Sequence, residues 1–254
     1  MPMRGLCVFA TLSLAFASMP AEGQDSRNLI PSVRSGIKSD FAFPAGAPVR
    51  ILLFRPDVEV TEETVGGLDQ PKANWTEKAR TALIAALAKD QNLRMNELQQ
   101  MAELTNEEAS AAEDYRALFK VIIGAAVDHK LYPGNKLPSK ANRFDWTLGP
   151  GVGQFAKSKD NSYGFFLYSY DSFPSAARNK SAVIGALMGE GESRGKHVGY
   201  AGLIDLKTGD LVWINTDLRM TGDIRTPVGA ASRIAELLKK FPERKVVNVT
   251  GKTK

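Results

Sequence analysis

One stretch of the chain decides the fold: residues 199–226 read GYAGLIDLKTGDLVWINTDLRMTGDIRT. Two apolar segments, 197–206 and 211–217, flank the short connection KTGD at 207–210. A glycine within a connection of about three to five residues is typical of a β-hairpin. Thr226 is then suited to cap a helix that has Pro227 at its first position. The stretch therefore predicts two paired strands followed by a helix.

The rest of the chain adds strands and helices to this hairpin. The continuous apolar run VRILLF at 49–54 predicts a strand buried on both faces, and the aromatic-rich segment 163–170 predicts another. Helical spacing of apolar residues predicts helices from Asn74, over 93–104, over 106–128 and at 150–157. Asn74 with Glu77 and Thr105 with Glu108 have the spacing of capping boxes. We expect Leu211 and Trp213 of the last strand to fill the core or an interface, and the last helix to bury Ile234, Leu237, Leu238 and Phe241.

This order of elements predicts one α/β domain, a mixed β-sheet with helices packed against it, over residues 48–242. The polar segment 24–47 contains Pro31, Pro44 and Gly46 and is expected to be a flexible linker. Residues 243–254 form a polar, basic tail.

The first residues predict a secretory signal peptide. Arg4 precedes an apolar run at 6–17, and Pro20 and small residues follow. This layout is that of a cleaved leader, and the run is too short to span a membrane. Cleavage is expected after Gly23, with Ala17 as the alternative, which gives a periplasmic or secreted protein without a transmembrane segment. Cys7, the one cysteine, lies in the leader, so the mature chain would have no disulfide and no thiol nucleophile.

Charge and histidine content argue against several classes of function. The net charge of +5 is spread along the chain, without the basic face or module that a nucleic-acid-binding protein shows. The two histidines, His129 and His197, lie far apart in sequence and form no metal-binding motif. We therefore expect no nucleic acid, no metal and no cofactor.

Two short motifs suggest catalysis, but their context does not support it. GESRG at 191–195 matches the G-x-S-x-G nucleophile elbow around Ser193, yet a strand-like segment follows where a helix is needed, and His197 is only four residues away. GEGESRGK at 189–196 is similar to a phosphate-binding loop. It has Glu190 where that loop requires glycine and His197 where it requires a hydroxyl residue.

The hairpin resembles a family of envelope proteins. Asp205, Thr208, Gly209, Val212 and Trp213 are similar to the closing hairpin of the domain found in CsgG-type curli secretion lipoproteins and in the N-terminal domain of TolB. The chain also resembles uncharacterised secreted proteins of Gram-negative bacteria. The resemblance implies an envelope protein that faces the periplasm and binds other proteins, and the family has no shared active site.

The chain departs from that family in two ways. Its mature part would lack the N-terminal cysteine that anchors CsgG-type members to lipid. The segment matching their pore-forming insert, residues 171–196, has one apolar run, SAVIGALMG, without the alternation of a transmembrane strand. Anchoring and a pore are therefore not expected.

Residues 171–196, which we call the insert, and the strand before them are the predicted site of partner binding. Loops carry binding sites, and aromatic and arginine residues are enriched in interfaces. The alternative is that 182–188 simply packs on the sheet. No catalytic, cofactor-binding or metal-binding residue is predicted, and the candidate partner-binding residues are Tyr170, Asp171, Phe173, Arg178, Arg194 and His197.

Three hypotheses for function follow. The first is a periplasmic or envelope binding or assembly accessory protein without catalytic activity, which binds an envelope protein, with self-association left open. The second is a hydrolase that uses Ser193 and His197. The third is a soluble carrier of a small apolar ligand.

Overall fold

The computed structural model describes residues 33–46, 48–90, 96–131, 135–140, 143–156, 161–180 and 195–244. The described part of the chain contains the helices α1 (Ala73–Leu87), α2 (Asn106–Ala126) and α3 (Pro227–Leu237), and residues 176–180 are helical as well. A π-helical turn, Val127–Leu131, extends α2, and 3-10 turns lie at Pro138–Lys140 and Pro150–Phe155. The strands are β1 (Val33–Ile37), β2 (Arg50–Leu53), β3 (Asp57–Glu63), β4 (Asp69–Pro71), β5 (Glu97–Gln100), β6 (Asn161–Pro174), β7 (His197–Asp205) and β8 (Leu211–Asp217).

These eight strands form one mixed sheet. Six of them lie side by side in the order β1-β8-β7-β6-β2-β5, while β3 pairs with β6 and β4 pairs with β3. The long strand β6 pairs in parallel with β2 along its first part and with β3 along its second part. Phe54, Arg55 and Pro56 separate β2 from β3, and proline has no N–H group for a ladder hydrogen bond. β5 runs parallel to β2, whereas β6, β7, β8 and β1 pair in antiparallel fashion.

Helices cover both faces of the sheet. On one face, α1 and α3 bury Leu83, Leu87 and Ile234 against side chains of β2, β3, β6, β7 and β8. On the other face, Phe119 and Ile123 of α2 pack with residues of β2, β6, β7 and β8. Successive residues of a strand point to opposite faces, so each central strand contributes to both cores. The predicted α/β domain, with a mixed sheet and helices packed against it, is confirmed.

The hairpin and the last helix form where the sequence predicts them. β7 and β8 are joined by a turn at residues 206–209, with Gly209 at φ 78°. Thr226 is the N-cap of α3, and its side chain accepts a hydrogen bond from the backbone N–H of Gly229 at 3.1 Å. The expected core residues are all buried: Leu211, Trp213, Ile234, Leu237, Leu238 and Phe241.

Several local predictions are wrong. The region 93–104 contains the short edge strand β5 in place of a helix. Its apolar residues are too few to distinguish the helical repeat of about 3.6 residues from the strand repeat of about two residues. α1 begins one residue before Asn74, its N-cap is Lys72, and no capping box forms there. Thr105 is the N-cap of α2, but its side chain makes no capping hydrogen bond.

The segment expected to be a linker contributes to the sheet. Residues Val33–Ile37 pair with β8 as strand β1, and the hairpin of β3 and β4 was not predicted. The predicted leader, residues 182–188, Ser193, Arg194 and most of the basic tail lie outside the described residues. Within the described part of the chain, no helix has both the length and the apolar character needed to cross a bilayer.

Candidate functional site

Successive side chains of β6 point to opposite faces of the sheet, so the candidate residues on this strand are divided between the two faces. Ser169 and Asp171 point towards α3, where both contact Arg233. Tyr170 points to the opposite face, where its hydroxyl donates a hydrogen bond to Asp69 of β4 at 2.8 Å. The consequence is that neighbours in sequence belong to two different clusters.

The first cluster is a buried ion pair. Arg233 donates from Nη2 to Oδ1 of Asp171 and from Nη1 to Oδ2 of the same carboxylate, both at 2.8 Å. Ser169 donates to Oδ2 at 2.9 Å and accepts from Nη1 of Arg233 at 2.9 Å. The side chains of Asp171 and Arg233 are fully buried. A two-pronged contact between a guanidinium and a carboxylate satisfies both charges where water cannot reach them.

His197 completes this cluster from β7. It stands opposite Asp171 in the β6–β7 register, and its Nδ1 lies 2.7 Å from Oδ1 of Asp171. An ionised carboxylate only accepts, so Nδ1 carries the proton of this hydrogen bond. The imidazole is one-fifth exposed and lies 5.2 Å from the ring of Phe173, measured between centroids. We call Ser169, Asp171, His197 and Arg233 the buried charge cluster.

The pKa of Asp171 shows that its charged form is favoured. Burial acts to raise this pKa, but hydrogen bonds and charge from His197 and Arg233 outweigh burial and lower the pKa below its ordinary value. Asp171 therefore stays ionised, with its charge matched by Arg233. The arrangement joins β6, β7 and α3, and it leaves the imidazole as the accessible member of the cluster.

A second group of side chains lies beside His197 on the same face. The guanidinium of Arg225 is 4.0 Å from the ring centroid of Phe173 and 4.2 Å from that of Trp75, at the start of α1. Asp223 holds this guanidinium with contacts of 2.8 Å to Nε and 2.7 Å to Nη2. These distances are those of cation–π interactions. We call Trp75, Phe173, Asp223 and Arg225 the arginine–aromatic cluster.

Electrostatics connect the two clusters. The hydrogen bond from Arg225 is the largest influence on Asp223 and lowers its pKa, and the nearby charge of His197 acts in the same direction. Asp223 thus holds Arg225 in place against the rings, and the charge of His197 also favours its ionised form. Both clusters belong to one end of the sheet, where β6 ends and β7 begins.

The remaining candidate residues lie around the β3–β4 hairpin. Arg178 pairs with Glu63 at 3.0 Å and donates to the carbonyl oxygen of Thr64 at 3.3 Å. Tyr170 and Ser172 both bond to Asp69, and the Ser172 hydroxyl is the main reason that the pKa of Asp69 is lowered. The structure thus brings Asp171, Phe173 and His197 together and places Tyr170 and Arg178 in separate contacts.

Sequence reasoning missed five residues of the two clusters, namely Trp75, Ser169, Asp223, Arg225 and Arg233. Arg233 carried a detectable signal, because it falls on the apolar stripe of α3 between Ala230 and Leu237. Charged residues are almost never fully buried unless they are paired, so an arginine on such a stripe indicates a buried acid opposite it. The aromatic partners of Arg225, Trp75 and Phe173, lie on two distant segments and gave no local signal.

A groove of about 1150 Å³ between α1 and α3 begins at the arginine–aromatic cluster. Arg225 and Pro227 line one end, and Ala82, Ala86 and Ile234 contribute apolar surface along it. In the described part of the chain, no group of three or more His, Cys, Asp or Glu residues is placed to hold a metal ion.

No protein-family model matches the chain, and no curated protein matches it. Among solved structures, the chain is similar to the PelC dodecamer from Paraburkholderia phytofirmans in two crystal forms. For a variant of PelC in space group C2, the TM-score is 0.37 at 15% identity, over 84% of this chain and 98% of that chain. For PelC in space group P6, the TM-score is 0.35 at 14% identity over the same shares. Both scores describe a remote structural similarity.

Proposed function

We propose that this chain is a non-catalytic binding or assembly accessory protein of the cell envelope, periplasmic or secreted once its leader is removed. It recognises a protein partner through the arginine–aromatic cluster and His197. One observation carries the proposal: Arg225 is held against two aromatic rings at the surface, at the mouth of an apolar groove. Tryptophan and arginine are enriched among the residues that dominate binding energy in protein interfaces.

The geometry of the arginine–aromatic cluster supports recognition of a protein. Trp75, Phe173 and Arg225 are each partly exposed, so a partner can cover them and exclude water. Asp223 and the two rings fix the guanidinium before binding, which lowers the entropy lost on association. The adjoining groove offers apolar area from alanines of α1 and α3 to a segment of the partner.

The buried charge cluster supports a structural role over a catalytic one. Asp171 is fully buried, so it cannot contact a partner directly and serves to position His197. Its negative charge is compensated by Arg233 at two contacts of 2.8 Å. A carboxylate with its charge matched in this way has little left to stabilise a protonated imidazole during catalysis.

The test is site-specific photo-crosslinking in cells, with a matched pair of positions. Val228 of α3 follows Pro227 of the groove and is 82% exposed, whereas Val121 on α2 is 66% exposed on the opposite face of the sheet. We expect a photoreactive residue at 228 to capture an envelope protein that one at 121 does not capture. Arg225→Ala should abolish this capture while the variant still unfolds cooperatively.

Three outcomes would contradict the proposal. They are no captured protein, equal capture at both positions, and crosslinks from position 228 only to further copies of this chain. The last result would assign the surface to self-association instead of recognition of a different envelope protein.

One observation favours a second candidate, a hydrolase that uses Ser193 and His197. The 2.7 Å contact between Asp171 and His197 is the carboxylate–imidazole pair that such enzymes use to orient the base. Ser193 lies outside the described residues. Hydrolysis of a panel of p-nitrophenyl esters by the purified chain, lost in Ser193→Ala, would support this candidate, and equal rates for both proteins would remove it.

A further inference from the structure

A second cavity adjoins the groove, with Glu77 and Thr81 of α1 lining both, at a point where the direction of chain connections changes. β2 is flanked by the parallel strands β5 and β6. The chain reaches β5 through α1 on one face of the sheet and leaves β5 through α2 on the other face. In open α/β sheets, ligands bind beyond the carboxyl ends of strands at such a point.

A crevice of about 530 Å³ occupies that place. Its walls include the residues that follow β2, Phe54 to Pro56, and those that follow β5, from Met101 to Thr105. α1 and α2 provide the other two sides. Pockets for small molecules have volumes of roughly 300–1,000 Å³, so the crevice is of suitable size.

Two guanidinium groups on the crevice are mostly buried, while their carboxylate partners are not. The side chains of Arg80 and Arg116 are 14% and 12% exposed. Arg80 pairs with Glu77 and Arg116 with Glu113, and these glutamates are 61% and 65% exposed. Exposed carboxylates are solvated and screened, so they compensate a buried cation poorly. A ligand carboxylate inside the crevice would compensate the two arginines better.

Backbone carbonyl groups hold both arginines in position. Arg80 donates from Nε to the oxygen of Pro56 at 3.1 Å, and Arg116 donates from Nη1 to the oxygen of Arg55 at 3.2 Å. Nε of Arg116 is buried and has no hydrogen-bond acceptor among the described residues. Burial is the largest influence on the pKa of Arg116 and lowers it; the charge of Asp57 acts to raise this pKa, and the charges of Arg55 and Arg80 act to lower it. Three arginines and three glutamates line the crevice, so its lining carries no net charge, but the glutamates Glu77, Glu103 and Glu113 are exposed whereas Arg80 and Arg116 are mostly buried.

The other part of the crevice is apolar. Leu53, Phe54, Ile84, Met101 and Leu104 contribute to its lining, and Ala109 and Ala112 face it from α2. Inorganic anions would leave this surface in contact with water. A ligand with an apolar body would cover it and gain roughly 25 cal/mol for each Å² of apolar surface removed from water.

From this geometry we infer that the crevice binds a small amphiphilic anion, a carboxylate on an apolar body, with its head against Arg80 and Arg116. The site is separate from the arginine–aromatic cluster and does not depend on the proposed partner. The chain would then be a carrier of a small amphiphilic ligand, and the two arginines would select a negatively charged head group.

The test is calorimetric titration of the full chain with decanoate below its micellar concentration. Three compounds serve as control ligands. Acetate has the carboxylate without the alkyl chain, decanol has the alkyl chain without the charge, and decyltrimethylammonium has the same alkyl chain with a positive charge. We expect saturable one-to-one binding of decanoate, at least about tenfold tighter than binding of the other three compounds. Arg116→Gln should weaken decanoate binding about tenfold or more, because it removes charge-assisted hydrogen bonds.

Two further variants keep the test decisive. Ala109→Phe fills the crevice from α2 without changing a charge, so it should abolish binding while circular dichroism and cooperative unfolding stay as in the unchanged chain. Arg143→Gln makes the same charge change at a side chain that is 72% exposed and outside the crevice, and it should bind decanoate normally. The inference is overturned if decanoate does not bind saturably, if decyltrimethylammonium binds as well, or if Arg116→Gln and Ala109→Phe bind as the unchanged chain does.

Discussion

Asp171 and His197 stand opposite each other on the antiparallel strands β6 and β7, with 2.7 Å between Oδ1 of the aspartate and Nδ1 of the histidine. The insert begins at Asp171 and ends just before His197, so their hydrogen bond joins the two ends of the insert. Arg233 of α3 contacts the same carboxylate from the core. One buried aspartate therefore joins two strands, a helix and the predicted partner-binding segment.

This aspartate should make stability depend on pH in the acidic range. Its folded-state pKa lies below the ordinary value of 3.8, so the unfolded chain binds the proton more tightly than the folded chain. The contribution of Asp171 is therefore complete above about pH 5 and is lost as pH falls through the folded-state pKa. The free-energy difference of unfolding between the unchanged chain and Asp171→Asn, from urea titrations, should be largest near pH 7 and shrink towards pH 2. A difference that is constant with pH would contradict this assignment, and Asp128→Asn, at an exposed position, serves as the control.

Removing the guanidinium partner should destabilise the fold strongly. Arg233→Met leaves Asp171 buried without its main partner, and breaking a buried ion pair in this way costs about 3–5 kcal/mol. Replacing both residues, as Asp171→Leu with Arg233→Met, should recover most of that loss because no unpaired charge remains. Urea unfolding at pH 7 measures both variants. A loss below about 1 kcal/mol for Arg233→Met would show that water reaches the carboxylate.

Local patterns in the sequence account for the parts of the fold that were predicted. The β7–β8 hairpin and the cap of α3 depend on residues within a few positions of each other, such as Gly209 and Thr226. The edge strands β1 and β5 were not predicted, because edge strands carry polar residues and their pairing depends on a distant partner. Fold class follows from the central elements, so these errors did not change it.

The site was predicted only in part, for a related reason. Aromatic and arginine content selected β6 and the insert, and Asp171, Phe173 and His197 of that selection lie together in the structure. Which residues meet depends on the register between β6 and β7 and on the packing of α3, and neither leaves a local pattern. The position of Arg233 on the apolar stripe of α3 was the one clue to this cluster in the sequence.

Two glycines should respond to alanine in opposite directions. Gly209 has φ 78°, and a Cβ atom there would collide with the carbonyl group of Gly149, so Gly209→Ala should destabilise the hairpin by more than about 1 kcal/mol. Gly124 lies inside α2 with nothing within 4 Å of an added Cβ, so Gly124→Ala should stabilise the protein by about 0.5–1 kcal/mol. Thermal unfolding of the two variants gives the comparison. Equal effects, or a stabilised Gly209→Ala variant, would show that the turn is not held as described.

The leader should be removed on export. Mass spectrometry of the chain recovered from the periplasm or medium should find an N-terminus at Gln24, with Ser18 as the alternative if cleavage follows Ala17. Lysine at Leu12 and Leu14 within the apolar run would block export and leave the uncleaved chain in the cytoplasm. An intact N-terminus on exported protein would contradict the prediction of a cleaved signal peptide.

Coupling between Arg225 and Trp75 should be measurable and should be linked to partner capture. The guanidinium lies 4.2 Å from the ring centroid of Trp75, and such contacts contribute about 0.5–2 kcal/mol when partly desolvated. A double-mutant cycle with Arg225→Lys and Trp75→Leu isolates this coupling in the free energy of unfolding. Arg225→Lys keeps the charge but loses the planar stacking, so capture at position 228 should fall while folding is retained. Zero coupling together with normal capture in Arg225→Lys would show that charge alone, and not the stacked geometry, is recognised.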